Sequence, residues 1–424
     1  MINFLNKILA KQKINNKNKT SFLEIKKNTN IEKIFNSISN FSEKNEIRYV
    51  GGCIRKILNK ENVDDIDLAT NIKPDEVIKI LKKNDISFYE SGIDHGTVTA
   101  KINNKNFEIT SLRKDLFSDG RHAKVEFSNN WLEDASRRDF TINSIYADIN
   151  GNLYDPFNGK KDLENGEIKF IGDAELRIKE DYLRILRYVR FFLNYSKKEH
   201  DPNIKKVIRQ NLTGVSKLSS ERLLDELKKL LISDGFLRLN ENDFCKEIIM
   251  LIFPQLINLK LFKNLNGQSL KIFKSGDFIF LISLLIIDNT DNSDYFLYKF
   301  NISNKDKKRI NFLKEIFSKD LDKKTFSKDY LWKIFYHNNI DYLNDLLNFA
   351  IFKSKKIDKK LIDLKEFFNT KNQPIFPIKA KQLIENYNLK EGRELGQKLK
   401  QIENIWISNS FKISAKEIEK VINN

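Results

Sequence analysis

The chain is poor in cysteine, in histidine and in unbroken apolar sequence, and each shortage removes a class of protein. Two cysteines, Cys53 and Cys245, and four scattered histidines, His95, His122, His200 and His337, occur in 424 residues. Such sparse ligands support neither a disulfide framework nor a zinc cluster and fit a reducing compartment. The longest apolar run, FIFLISLLII from Phe278, has ten residues, where a membrane span needs about 20. The opening MINFLNKILAKQK is too short and too interrupted by Asn to form a secretory core. A soluble, cytoplasmic protein of roughly two to four domains is the expectation.

Positive charge is what the chain has in excess. Lysine and arginine number 75 against 58 acids, a net charge of +17 with a pI near 9.4. A surface of that sign attracts polyanions, nucleic acid first. The same excess arises where biased genomic base composition favours Lys, Asn and Ile and the lysines are solvated helix faces.

Along the chain, residues 1–30 read as a polar leader with little to bury. Over 31–155, short β-branched runs such as IRYV, IDLA, TVTAKI and FEITSL alternate with turns and helical stretches, which predicts a mixed α/β domain. Beyond Pro156, glycines thin out and apolar residues recur at helical spacing, as in ERLLDELKKLLI. The all-helical remainder divides into segments 156–235, 236–365 and 366–424, with polar breaks near residues 290 and 370. The expected fold class is α+β.

Within this basic chain, VDDIDLAT (63–70) crowds three aspartates into four positions. As a strand it alternates faces, so Asp65 and Asp67 project together and Asp64 opposes them. Two carboxylates on one face repel unless a cation lies between them, and hard oxygen ligands suit Mg²⁺ sharing its shell with substrate phosphates. A solvated loop accommodates the same residues. Upstream, YVGGCIR sets Gly51 and Gly52 between a strand and a helix, where bare amides can approach a triphosphate and Arg55 can add charge; a tight turn is the plainer use of GG. Downstream, NFEITSLR offers Glu108 as a third acid. The set suits two-metal phosphoryl transfer.

GGCIR…DDIDLAT, followed in order by FEITSLR, RRDFTINSI, YDPFNGKKDL, RIKEDYLRILRYVRFF and LSSERLLDELKKLL, resembles the class II tRNA nucleotidyltransferases and their bacterial poly(A) polymerase relatives over roughly residues 48–235. The resemblance implies a polymerase-β-like palm with a small mixed sheet at 31–155, a helical neck with a base-reading helix at 156–235, a body at 236–365 and an RNA-binding tail at 366–424. It implies Asp65 and Asp67 as Mg²⁺ ligands, Glu108 as the third acid, and Gly51, Gly52 and Arg55 as phosphate contacts. It further implies Arg137, Arg138 and Asp139 at the ribose and phosphates, with Asp139 favouring ribonucleotides. Asp181 and Arg184 become the base template and Arg187 a further nucleotide contact. Lys56 departs from the family, which has Asp after the motif arginine.

On residue chemistry, a helix from near Ile178 puts Asp181 and Arg184 three apart on one face, with Glu180 placed to orient Arg184. Cytosine and adenine both offer an amino donor beside a ring-nitrogen acceptor, and uracil and guanine the reverse, so a carboxylate beside a guanidinium admits CTP and ATP. An exposed ion pair on a surface helix has the same spacing, and RRD also suits an ordinary N-cap. The glycine-bearing RKDLFSDGRHAKVEF resembles the family's flexible loop, with His122 as a polar loop residue. In the tail, Gly392 opens a helix with Arg393 and Lys398 near a phosphate, or simply separates two helices. Trp332, Phe335 and Tyr336 read as core. The partners implied are the 3′ end of tRNA, CTP and ATP, with no membrane and no DNA. CCA addition is the leading expectation. Poly(A) synthesis is second, disfavoured because SFYESGIDHGTVTAKI carries no arginine, and an inactive RNA-binding module is the alternative of another class.

Overall fold

The computed structural model describes residues 20–117, 124–317, 326–354 and 357–423. They belong to two compact units, Met1–Ile252 and Phe253–Asn424, so the division lies inside the segment 236–365.

In the first unit, the strands are β1 (Ile47–Val50), β2 (Asp67–Thr70), β3 (Ser87–Gly92), β4 (Thr97–Ile102), β5 (Lys105–Ser111), β6 (Arg113–Phe117), β7 (Lys124–Phe127), β8 (Tyr146–Ala147) and β9 (Leu153–Tyr154). Among the described residues they form a seven-stranded sheet of order β3-β4-β5-β2-β1-β8-β9 and a separate β6-β7 hairpin. β2 and β5 run parallel, with Asp67 opposite Glu108. The other pairings of the sheet are antiparallel. Alternation sends Ile47 and Tyr49 into one apolar layer, with Leu68, Ile109 and Val98, while Val50 and Ala69 meet Trp131 and Tyr146 on the opposite face.

The helices of this unit are α1 (20–29), α2 (Glu32–Ser39), α3 (Gly52–Asn59), α4 (Pro74–Lys83), α5 (Trp131–Ser136), α6 (Gly159–Asn165), α7 (Ala174–Glu180), α8 (Leu183–Tyr195), α9 (Pro202–Asn211), α10 (Ser220–Leu231) and α11 (Asp243–Ile252). The expectation that the leader buries little fails at its described end. Phe22 on α1 is 1% exposed, its ring 5.4 Å from that of Tyr49. Residues 1–19 lie outside the described residues.

The expected continuous helix through KEDYLRILRYVRFF is two helices. At Asp181 the backbone is extended (φ −154°, ψ 105°), ending α7, and α8 starts two residues later. No Pro or Gly causes the break. The Asp181 carboxylate instead accepts from the Leu183 amide at 3.1 Å and from Arg222 of α10 at 2.8 Å, an aspartate competing with helical hydrogen bonding. Tyr182 fills a notch that only glycine leaves open, since a Cβ on Gly214 would lie 2.0 Å from its ring.

The second unit is helical throughout its described regular structure. The run from Phe278 is the helix Phe278–Ile286, most of whose side chains are buried. Among the described residues no helix is long and apolar enough to cross a membrane. Trp332 packs against Phe335, Phe367, Phe368 and Phe411, and Tyr336 against Trp406; Phe335 is core as expected, while Trp332 and Tyr336 are part-buried at its edge. Gly392 is the N-cap of Arg393–Ser408, with φ 155°. Lys398 turns from the expected phosphate position: its Nζ donates to the carbonyls of Val421 and Ile422, at 3.4 and 2.7 Å. There it caps the C-terminal end of Ala415–Asn423.

Candidate active site

The end of β1, the start of α3, the start of β2, the 137–143 segment and helices α8 and α10 surround a cleft of about 620 Å³. Gly51, Gly52, Arg55, Asp65, Asp67, Arg137, Arg138, Asp139, Asp181, Arg184 and Arg187 all line it. Glu108 does not. It stands on the parallel neighbour of β2, directly opposite Asp67.

The glycines have physical reasons. Gly51 has φ 69° and ψ −116°, open to glycine and strained for other residues. A Cβ on Gly52 would lie 3.9 Å from Arg55 Nη2 and 4.0 Å from Asp67 Oδ2. The bare Cα thus keeps a slot between a carboxylate and a guanidinium. Arg55 is 8% exposed. Its Nη1 donates to Asn143 Oδ1, its plane lies over Phe191 and Tyr195, and its buried Nε has no partner.

The strand begins only at Asp67; Asp65 precedes it in non-strand backbone and is exposed. Strand alternation therefore does not set the facing of the two. Asp64 is drawn aside by Lys56, at 3.2 Å, which gives the departing lysine a partner at the rim of the cleft. Burial raises the Asp67 carboxyl above the ordinary range; Glu108 and Asp65 push the same way, against Arg138 and Arg55. Among the described residues no group of three or more His, Cys, Asp or Glu side chains converges to hold a metal alone. A carboxylate pair still fits Mg²⁺, which takes one or two carboxylates and completes its shell with water and substrate phosphates.

RRD follows a helix instead of capping one. Asn130 caps α5 by accepting from Leu132 N at 2.9 Å, which turns Asp134 inward at 1% exposure. Arg137 and Arg138, three and four residues on, both bind Asp134, at 2.7 and 3.1 Å. Tyr146 donates its hydroxyl to the same carboxylate at 2.7 Å. Burial alone would raise Asp134, but the two arginines outweigh it and hold the carboxyl far below its usual range. Asp139 accepts from Phe140 N and Asn143 Nδ2, each at 2.9 Å, and from Arg187 Nε. Arg187 and these bonds overcome burial and keep the Asp139 carboxyl at about 2.

At the α7–α8 end of the cleft, Arg184 meets Glu180 at 2.7 Å and donates to the Arg177 carbonyl at 2.9 Å, so Glu180 orients it. Asp181 is paired with Arg222 and not with Arg184. Glu226 holds Arg190 at 2.8 Å and lies 3.5 Å from Arg187. Sequence reasoning missed Asp134, Asn143, Arg222 and Glu226. Helical i, i+3 and i, i+4 spacing in EDASRR was a usable signal for Asp134; Arg222 and Glu226 meet partners far away in sequence, and Asn143 joins its near neighbour Asp139 to the distant Arg55. Residues 118–123, including His122, lie outside the described residues, and the rest of the expected flexible loop pairs as β6 and β7.

Residues 47–169 match the family model for the Poly A polymerase head domain. The human "CCA tRNA nucleotidyltransferase 1, mitochondrial" is 34% identical over 385 residues, 89% of this chain and 86% of that protein. The zebrafish protein of the same name is 43% identical over 192 residues, 44% of its length. A Lactobacillus helveticus CCA-adding enzyme is 29% identical over 89% of this chain and 92% of its own. The fold is that of the Bacillus stearothermophilus CCA-adding enzyme solved with CTP (TM-score 0.68, 21% identity, 92% of this chain and 95% of that one). The ordered sequence motifs, the cleft that gathers them and a full-length relative at this identity lead to one statement: the chain belongs to the CCA tRNA nucleotidyltransferase family.

Proposed function

We propose that this protein restores the CCA end of tRNA, adding C, C and A from CTP and ATP without a nucleic-acid template. The observation that carries the reading is the slot over Gly52, bounded by Asp67 and Arg55. It has the charge pattern a metal-bound triphosphate needs, acid on one wall and base on the other. The cleft is lined by nine lysines and arginines against four aspartates, a balance suited to a polyanionic substrate. Mg²⁺ is the metal we assign, with Asp65 and Asp67 as its protein ligands; when bound it lowers the pKa of the attacking hydroxyl and steadies the leaving pyrophosphate.

The chain's own residues do the rest. The 3′ hydroxyl of the RNA attacks the α-phosphorus of the bound nucleotide, an O–P bond forms, the α–β bridge breaks and pyrophosphate departs. Arg55 and the arginines anchored on Asp134 take the phosphates. Asp139 meets the ribose. Asp181 retains acceptor capacity after Leu183 and Arg222 are served, because a carboxylate offers about four lone-pair sites. It takes the exocyclic amino group of cytosine or adenine, and Arg184 donates to the neighbouring ring nitrogen. Uracil or guanine leaves both unpaired at about 1–3 kcal/mol each. The relatives solved with tRNA, from Thermotoga maritima among others, support an RNA 3′ end as acceptor, and we assign the tail 366–424 to holding it. A cytoplasmic location is part of the same reading, and cell fractionation checks it against the mitochondrial relatives.

The test is extension of a tRNA that ends at its discriminator base, with CTP and ATP supplied singly and together, in Mg²⁺ and in EDTA. Growth by three nucleotides only when both are present supports the proposal. A long A tail would instead make the protein a poly(A) polymerase, and no growth an RNA-binding module. In the same assay Asp181→Ala should raise UTP and GTP incorporation relative to CTP by roughly 5- to 150-fold, the equivalent of one mismatched polar edge. Unchanged rejection of UTP and GTP would remove Asp181 from the base-reading role.

A further inference from the structure

Asn143 lines the cleft and touches three of its candidate residues at once. It is 6% exposed and ends the short 3₁₀ turn Thr141–Asn143, held by its amide bond to the Phe140 carbonyl at 2.9 Å. Its side-chain Oδ1 accepts from Arg55 Nη1. Its Nδ2 donates to Asp139 Oδ1 at 2.9 Å. Its backbone carbonyl accepts from Arg138 Nη1 at 3.4 Å.

The chemistry of the two side-chain partners fixes the amide. A guanidinium only donates and an ionised carboxylate only accepts, so one orientation of the carboxamide satisfies both. Asp lacks the donor, Ala lacks both functions, and Ser carries donor and acceptor on the single oxygen of a shorter side chain. We propose that Asn143 is a positioning residue that ties the phosphate grip of Arg55 to the ribose check by Asp139. With Phe140 N it occupies Asp139 Oδ1, while Arg187 takes one site on Oδ2. Three of about four acceptor sites are then filled, and the remaining one, on Oδ2, is left for a ribose hydroxyl. Arg55, pinned through Nη1, keeps its Nη2 beside Gly52. A nucleotide seated by its phosphates is thereby presented to the acid that senses its sugar.

The inference rests on the nucleotidyl-transfer reading above. It is tested by kcat and KM for CTP and dCTP on a tRNA primer with the wild type, Asn143→Ala, Asn143→Ser, Asp139→Asn and the Asn143→Ser/Asp139→Asn double variant. Asn143→Ala and Asn143→Ser should lower kcat/KM for CTP by about 10- to 100-fold, the range for a residue that orients a contact residue. The CTP-over-dCTP preference should shrink at least about fivefold, and in that preference Asn143→Ser should add little to Asp139→Asn, because its effect on the sugar runs through that carboxylate while its effect through Arg55 falls on both nucleotides alike. An unchanged sugar preference with only a lower thermal midpoint would reduce Asn143 to a structural role and overturn the inference, as would full additivity of the sugar preference in the double variant. Asn143→Ser keeps a small polar side chain and serves if Asn143→Ala does not fold. A wild type that extends no RNA overturns the functional reading and this inference together; an active wild type with indifferent variants overturns this inference alone.

Discussion

Asp67→Asn should reduce nucleotide addition by more than about 1,000-fold, the upper range for deleting a group that stabilises developing charge, and should at the same time raise the thermal midpoint of the metal-free protein. The two effects have one cause. Asp67 is part-buried, with Glu108 opposite on the parallel strand and Asp65 nearby, and burial and these acids all disfavour its charge. A carboxyl raised in the folded chain binds its proton more readily there than in the unfolded chain. In its ionised form it therefore subtracts from stability until a cation arrives. An amide of the same shape removes the repulsion and the ligand together. Mg²⁺ should accordingly raise the midpoint of the wild type and leave that of Asp67→Asn in place. Scanning calorimetry in EDTA and in Mg²⁺, beside the extension assay, checks both halves. A variant that is less stable than the wild type without metal, or that still adds nucleotides at a tenth of its rate, would refute the role given to this residue.

Asp134→Asn should be strongly destabilising, at about 3–5 kcal/mol, because it leaves two part-buried guanidiniums against a neutral, buried partner. That corresponds to a fall in the thermal midpoint on the order of 10 °C. Arg137, Arg138 and the Tyr146 hydroxyl converge on this carboxylate. The difference from the wild type should depend on pH. The folded carboxyl lies far below its usual range, so its contribution is complete above the unfolded value of about 3.9 and is lost as pH falls through the folded one. Chemical denaturation at pH 7 and in strong acid should show a wide gap closing to a narrow one. A midpoint within about 2 °C of the wild type at pH 7 would mean that the arginines find other partners.

What the sequence disclosed depended on how locally each signal was written. Gly51 and Gly52 after IRYV announced a strand, a positive-φ turn and a helix, and all three are present. The period-2 pattern of NFEITSLR put Phe107 and Ile109 inward and Glu108 outward. The helical period of KEDYLRILRYVRFF was equally clear and misled, because Gly214 and Arg222, more than 30 residues away in sequence, decide that the chain must break at Asp181. Helical propensity is worth only tenths of a kcal/mol per residue, and a tyrosine seated in a glycine notch beside an aspartate bonded to Arg222 outweighs it. Lys398 was legible as a charge near a helix start but not as the cap of another helix, since spacing along one helix says nothing of what lies across from it.

β2 and β5 make the single parallel pairing in the described sheet. Parallel neighbours cannot be joined by a hairpin, so the chain travels through α4, β3 and β4 before Glu108 reaches the rung of Asp67. Long-separation contacts of this kind close late, after local hairpins have formed. Asp67 and Glu108 therefore become neighbours only through a pairing distant in sequence, and any piece of the chain that stops before β5 holds Asp67 without the acid that faces it.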